Sequence, residues 1–193
     1  MKKMLSLFVR EYNERGEFRS LDQVTPGCEW VANGEGVATR KYDGTCCLIM
    51  NGELYRRFDA KPGRAIPAGA IPCQDEPDKI TGHWPHWVKC DPNNPQDKWH
   101  LKAMRGDYAD GTYELCGVHF QNNIDGLVGD GDVLVRHGED ILYVKDRTFD
   151  GVMQYLRDNV IEGIVFHHPD GRMCKVKRSD FGLPWGNSKR GVK

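Results

Sequence analysis

The chain has 193 residues, with 27 Lys+Arg against 28 Asp+Glu for a formal charge of −1, and 39% of it is apolar. That size suits one domain with a sizeable core, and that composition excludes wholesale disorder. No apolar run approaches the roughly 18–20 residues that span a bilayer, and the short apolar patch after Lys2-Lys3 ends at Arg10-Glu11, too soon for a secretory leader.

The 22 Gly and 10 Pro imply many turns and a β-rich chain. Residues 1–25 read as one short element, an amphipathic helix or a first strand. Residues 36–60 read as a β-hairpin region: Gly36–Lys41, Thr45–Met50 and Leu54–Phe58 are apolar-rich runs, and Asn51-Gly52 is a strong hairpin turn. Between 61 and 100 lie seven prolines and three of the five tryptophans, which excludes a long helix or a central strand there and predicts an irregular insertion. Thr112–Val118, Asp132–Arg136 and Ile141–Val144 read as strands. Phe149, Val152, Met153, Leu156 and Val160 recur at helical spacing behind Thr148, a candidate N-cap. Gly163–Phe166 and Met173–Lys177 form a hairpin around Pro169-Asp170-Gly171. The sum is an α+β domain, mostly antiparallel sheet with few helices, and with no linker that would divide 1–193.

The seven cysteines are odd in number and lack framework spacing, so they read as reduced thiols in a cytosol-like compartment. Cys46 and Cys47 are adjacent in a strand, point to opposite faces, and read as core packing. His83, His86, Cys90 and His100 have zinc-ligand types. Their spacing matches no familiar zinc module, and they read as loop packing or as contacts to a ligand. From Lys175 to Lys193 the chain carries six basic residues against Asp180 alone, a stretch suited to phosphate or to solvent.

Lys41-Tyr42-Asp43-Gly44 is the most informative stretch. A lysine at a strand end shares a face with Asp43, and Gly44 lets backbone approach a ligand. A lysine amine is a nucleophile only when deprotonated, which needs burial or neighbouring cations. Glu162 stands at the mouth of an apolar strand and suits a hard divalent cation. Lys175 and Lys177 share one face of the next strand and suit phosphates.

In that order these residues resemble the covalent nucleotidyltransferase superfamily of polynucleotide ligases and capping enzymes. Lys41–Gly44 looks like its nucleophile motif, Tyr113–Gly117 like its third, Glu162–Val165 like its fourth and Lys175–Lys177 like its fifth. Lys41–Cys47, Glu162–His168 and Gly82–Pro85 are similar to the small ATP-dependent RNA ligases related to the animal 5′-to-3′ RNA ligase. The resemblance spans roughly residues 34–185. It implies a nucleotidyltransferase (ATP-grasp-like ligase) domain. Sixteen residues follow Lys177, so the expectation is a domain without the OB-fold partner of larger ligases.

The resemblance also implies a chemistry. Lys41 takes AMP from ATP, AMP passes to an RNA 5′-phosphate, and a 3′-hydroxyl displaces it. It assigns Mg²⁺ (or Mn²⁺) to Glu162 and the α-phosphate to Lys175 and Lys177. Asp43 orients Lys41 or holds metal-bound water. Ribose falls to Glu114, ribose or phosphate to Arg57, and the adenine edge to main chain at Thr39-Arg40. Phe120 or Phe166 are the candidates to stack on the base. The expected partners are RNA 5′-phosphate and 3′-hydroxyl ends, with no membrane, for a monomer in a cytoplasmic or other intracellular setting. Two alternatives stand beside it: a capping-type guanylyltransferase, which would load GMP on Lys41, and a catalytically silent RNA-end-binding module.

Overall fold

The structure, a computed structural model, describes residues 2–79 and 81–186. In chain order its elements are β1 (Leu5–Ser6), β2 (Phe8–Tyr12), β3 (Phe18–Val24), α1 (Glu29–Ala32), β4 (Val37–Lys41), β5 (Thr45–Met50), β6 (Glu53–Ala60), β7 (Ile71–Pro72), β8 (Trp84–Lys89), α2 (Lys98–Ala103), β9 (Gly111–Gly117), β10 (Asp132–Arg136), β11 (Ile141–Leu142), α3 (Phe149–Asp158), β12 (Gly163–His167) and β13 (Met173–Lys177). The fold is mixed α+β, with mostly antiparallel sheets and few helices. Among the described residues no helix is long and apolar enough to cross a membrane.

Where the sequence reads as one domain, the contacts gather into two compact units. One holds the first three residues and Asp43–His137, and the other holds Met4–Tyr42 and Gly138 onward. In the second unit a five-stranded sheet runs β1-β13-β12-β4-β11, with β1 parallel to β13 and every other pair antiparallel. Alternation sorts its central strands. Ile164, Phe166, Cys174 and Val176 turn inward onto Leu7, Trp30 and α3, while Lys175 and Lys177 turn the other way. The predicted helix forms as α3: Thr148 caps it by accepting from the Gly151 N–H at 3.1 Å, and Val152 and Leu156 are fully buried. Val160, placed on the same stripe by spacing, lies beyond the helix and is exposed.

In the first unit a six-stranded antiparallel sheet runs β10-β9-β5-β6-β8-β7. Cys47, Ile49, Tyr113, Leu115 and Leu134 line the inner face with α2 residues. The structure departs from expectation in four places. The region 36–60 is not one hairpin. Only β5 and β6 pair, and β4 belongs to the other unit's sheet, because the chain leaves extended pairing at Tyr42-Asp43-Gly44. The Pro-rich insertion does contain a strand inside a sheet, β8, despite Pro85. It is tolerated because β8 is next to the edge, flanked outward only by the two-residue β7. The N-terminal segment holds three strands rather than one element, and β2 and β3 pair as a separate ribbon. The cysteines are not all thiols either: Cys28 and Cys174, both buried, form a disulfide, and the other five are free.

Candidate active site

The lysines and the glutamate singled out in the sequence meet in the second unit. Register does it. Gly163 of β12 is the partner of Lys41 on β4 and of Lys177 on β13, so the two lysines flank a residue with no side chain. A Cβ at Gly163 would collide with the Val176 carbonyl oxygen, so only glycine fits that crossing. Glu162 precedes it, 4% exposed, and each carboxylate oxygen takes one lysine: Lys41 Nζ at 2.5 Å and Lys177 Nζ at 2.8 Å. Lys41 Nζ also donates to the Tyr42 carbonyl at 3.1 Å. Lys175, two residues before Lys177 on the same face, has its ammonium pushed down to about 8. Burial is the main cause, followed by the charges of Lys177, Lys41 and Arg10. Three lysines thus gather around one carboxylate, a surplus of positive charge that suits an oligophosphate.

The groups that hold this cluster come from distant parts of the chain. Arg10 donates to Asp180 at 2.6 Å, and the other Asp180 oxygen accepts the Lys177 backbone N–H at 2.8 Å, which fixes the end of β13. Asp140 accepts from the Tyr42 hydroxyl at 2.7 Å. Asp180, the lone acid of the basic stretch after Lys175, is a signal only once Arg10 is known to lie beside it, 170 residues away in sequence. Of the remaining candidates here, the Thr39 hydroxyl is buried between the Val165 carbonyl and His167 Nε2, and the Arg40 guanidinium lies over the Tyr42 ring. Phe166 is fully buried in the core with Arg147 against its ring, so it presents no face to a base; the expectation of stacking there is corrected by ordinary core packing.

Glu114, Arg57, Asp43 and Phe120 lie in the first unit. Glu114 is central to its outer face. One carboxylate oxygen accepts the Gly44 N–H at 3.2 Å, and the other is 2.9 Å from His137 Nε2. Gly44 has no room for a Cβ against the Leu115 carbonyl, so the glycine is what lets this backbone reach Glu114. Asp43 opens the unit with its N–H on the Asp125 carboxylate at 2.8 Å. Arg57 pairs with Asp59 at 2.9 Å and lies over Trp87, whereas its neighbour Arg56 is held by the buried Asp97 at 2.6 Å on the inner side. Phe120 is half-buried, edge-on to His100. His86 and Cys90 are buried, and they form no close ligand cluster with His83 or His100. Lys189, Arg190 and Lys193 of the basic tail fall outside the described residues.

Glu162 fits a hard divalent cation by chemistry. It is a buried carboxylate whose oxygens already hold positive charge, and each oxygen retains a second lone pair.

No family model matches the sequence. Named relatives do. The RNA ligase 1 of Danio rerio is 27% identical, that of Rattus norvegicus 26% and that of Pongo abelii 24%, each alignment covering 77% of this chain and 68% of the relative. The chain is related to animal RNA ligase 1. The group reached through Lys41–Cys47 and Glu162–His168 is the same one, so the resemblance holds beyond those short stretches. Kinship to RNA ligase 1 at this identity leaves the roles of individual side chains to be argued from their surroundings.

Proposed function

We propose that this protein is an ATP-dependent RNA ligase with a nucleotidyltransferase fold. It joins a 5′-phosphate to a 3′-hydroxyl through a lysyl-AMP and an adenylated RNA end. The observation that carries the reading is the Lys41–Glu162–Lys177 cluster around Gly163, with Lys175 beside it. Similarity to RNA ligase 1 supplies the class of nucleic acid.

In the first step Lys41 Nζ attacks the α-phosphorus of ATP, a P–N bond forms, and the bond to pyrophosphate breaks. Glu162 Oε2, 2.5 Å away, is placed to receive the proton that Nζ sheds. Lys175 and Lys177 offset the charge that builds on the phosphate oxygens. Glu162 would hold Mg²⁺ (or Mn²⁺), which when bound would supply further positive charge for the phosphates. In the second step an oxygen of the RNA 5′-phosphate attacks the same phosphorus and Lys41 leaves, taking a proton. In the third the 3′-hydroxyl attacks the 5′-phosphorus, loses its proton, and AMP departs. Glu114 binds ribose, Arg57 ribose or phosphate, and main chain at Thr39-Arg40 the adenine edge. Phe120 is the remaining candidate to stack on the base, and Asp43 orients Lys41 or metal-bound water.

The test is ligation of a 5′-phosphorylated RNA to a 3′-hydroxyl RNA. Joining is expected with ATP and Mg²⁺ and not with a 5′-hydroxyl donor. Joining without nucleotide by protein stripped of AMP, or transfer of GMP from GTP to an RNA 5′-diphosphate end, would overturn it.

A further inference from the structure

Three side chains on the outer face of the first unit's sheet form a second constellation. Cys46 on β5 and Glu114 on β9 are cross-strand partners, and His137 follows β10 with its N–H on the Thr112 carbonyl at 3.1 Å. Cys46 and Glu114 therefore stand on paired strands, and His137 sits in the turn just after β10. Cys46 Sγ, a Glu114 oxygen and a His137 ring nitrogen lie within 4.8 Å of one another, the one such group of three among the described residues. The His137 ring meets Glu114 through Nε2, and its Nδ1 is buried with no hydrogen-bond partner.

We propose that Cys46, Glu114 and His137 bind one thiophilic divalent cation of the zinc class, with a fourth position left open. Bonds of about 2.0–2.3 Å put tetrahedral ligands roughly 3.3–3.7 Å apart, so the most distant of these atoms draw in by up to roughly 1.5 Å, while Glu114 Oε2 and His137 Nε2, at 2.9 Å, part slightly. The donor set of sulfur, nitrogen and oxygen selects zinc, cobalt or copper over magnesium. A thiolate and a carboxylate balance the two charges of the cation. Binding breaks the Cys46 S–H bond, and the proton goes to solvent as the metal–sulfur bond forms. Three protein ligands and an open position match the donor count of reactive rather than sealed zinc sites. Cys46 was expected in the core; only its neighbour Cys47 is there.

The test uses the full chain, freed of metal by chelation and titrated with Co²⁺. A sulfur-to-cobalt charge-transfer band in the near ultraviolet should saturate at one equivalent and be displaced by Zn²⁺. Cys46→Ser should lose the band, and His137→Ala should weaken Co²⁺ binding by about tenfold or more. Absence of the band in the wild-type protein overturns the proposal, whether or not any variant folds. So does a band that survives in Cys46→Ser, which would assign the sulfur to another free thiol. Glu114 serves ribose in the ligase reading and the metal in this one, so the titration is run without nucleotide; its absorbance readout does not depend on nucleotide transfer, and the two readings fail separately.

Discussion

Lys175 carries the clearest electrostatic mark in the molecule. Burial and the charges of Lys177, Lys41 and Arg10 bring its ammonium down to about 8 from the ordinary 10.5. The sign follows: below about pH 8 folded and unfolded chains both hold the proton and the fold bears the cost of burying it. That cost is relieved as pH rises through 8 toward 10.5. A bound phosphate favours the ammonium, so ATP affinity should fall as pH rises from about 7 to 9, and Lys175→Arg should flatten the profile. A titration calorimetry series with no pH dependence in the wild type contradicts this. Glu162→Gln keeps the shape but removes the charge that faces Lys41 and Lys177. Adenylate formation should drop by roughly 100-fold or more, with far-ultraviolet circular dichroism unchanged; single-turnover rates near wild type would refute the role. At this scale Lys41, Glu162, Lys175 and Lys177 were legible, because strand alternation and motif order put them on one face. Cys46 and His137 were not, since a cysteine pair in a strand does not say which member faces the core.

The crossing of β4, β12 and β13 depends on a missing side chain. Gly163→Ala must push the Val176 carbonyl away, which separates β12 from β13 beside both lysines. The variant should lose nucleotide transfer even where it folds, and thermal unfolding should report a loss of at least about 1 kcal/mol. Full activity with wild-type stability would show that the glycine is not needed there. Helix α3 has a separable cap: Thr148→Ala should cost about 1 kcal/mol by chemical denaturation, with adenylation unaffected. Both elements could be read beforehand, the hairpin from Pro-Asp-Gly between alternating strands and the helix from its apolar spacing. The separation of β4 from β5 could not. A strand run, a short turn and another run describe a hairpin equally well, and only Gly44, held against the Leu115 carbonyl, shows that the chain passes into a different sheet.

Two cores rather than one support the chain, and each has a fully buried leucine at its centre, Leu156 in one unit and Leu115 in the other. Either leucine changed to Ala should cost about 2–5 kcal/mol, read as a drop in Tm of some 2–4 °C per kcal/mol. A shift of less than a degree would mean that the cavity closes. The α+β class was readable from composition and turns, but the division into units was not, because its three boundaries, at Lys3-Met4, Tyr42-Asp43 and His137-Gly138, carry no linker composition. The Cys28–Cys174 pairing was equally hidden, its members 146 residues apart with no framework to point to it. All of the functional account converges on Lys41 as the residue that becomes covalently modified. Intact-protein mass spectrometry after incubation with ATP and Mg²⁺, and with pyrophosphate treatment beforehand to strip any AMP already present, tests this most directly. The account predicts a gain of one AMP with ATP, none with GTP, and none in Lys41→Ala. An adduct that persists in Lys41→Ala, or a stripped wild-type protein that gains nothing from ATP, would contradict it.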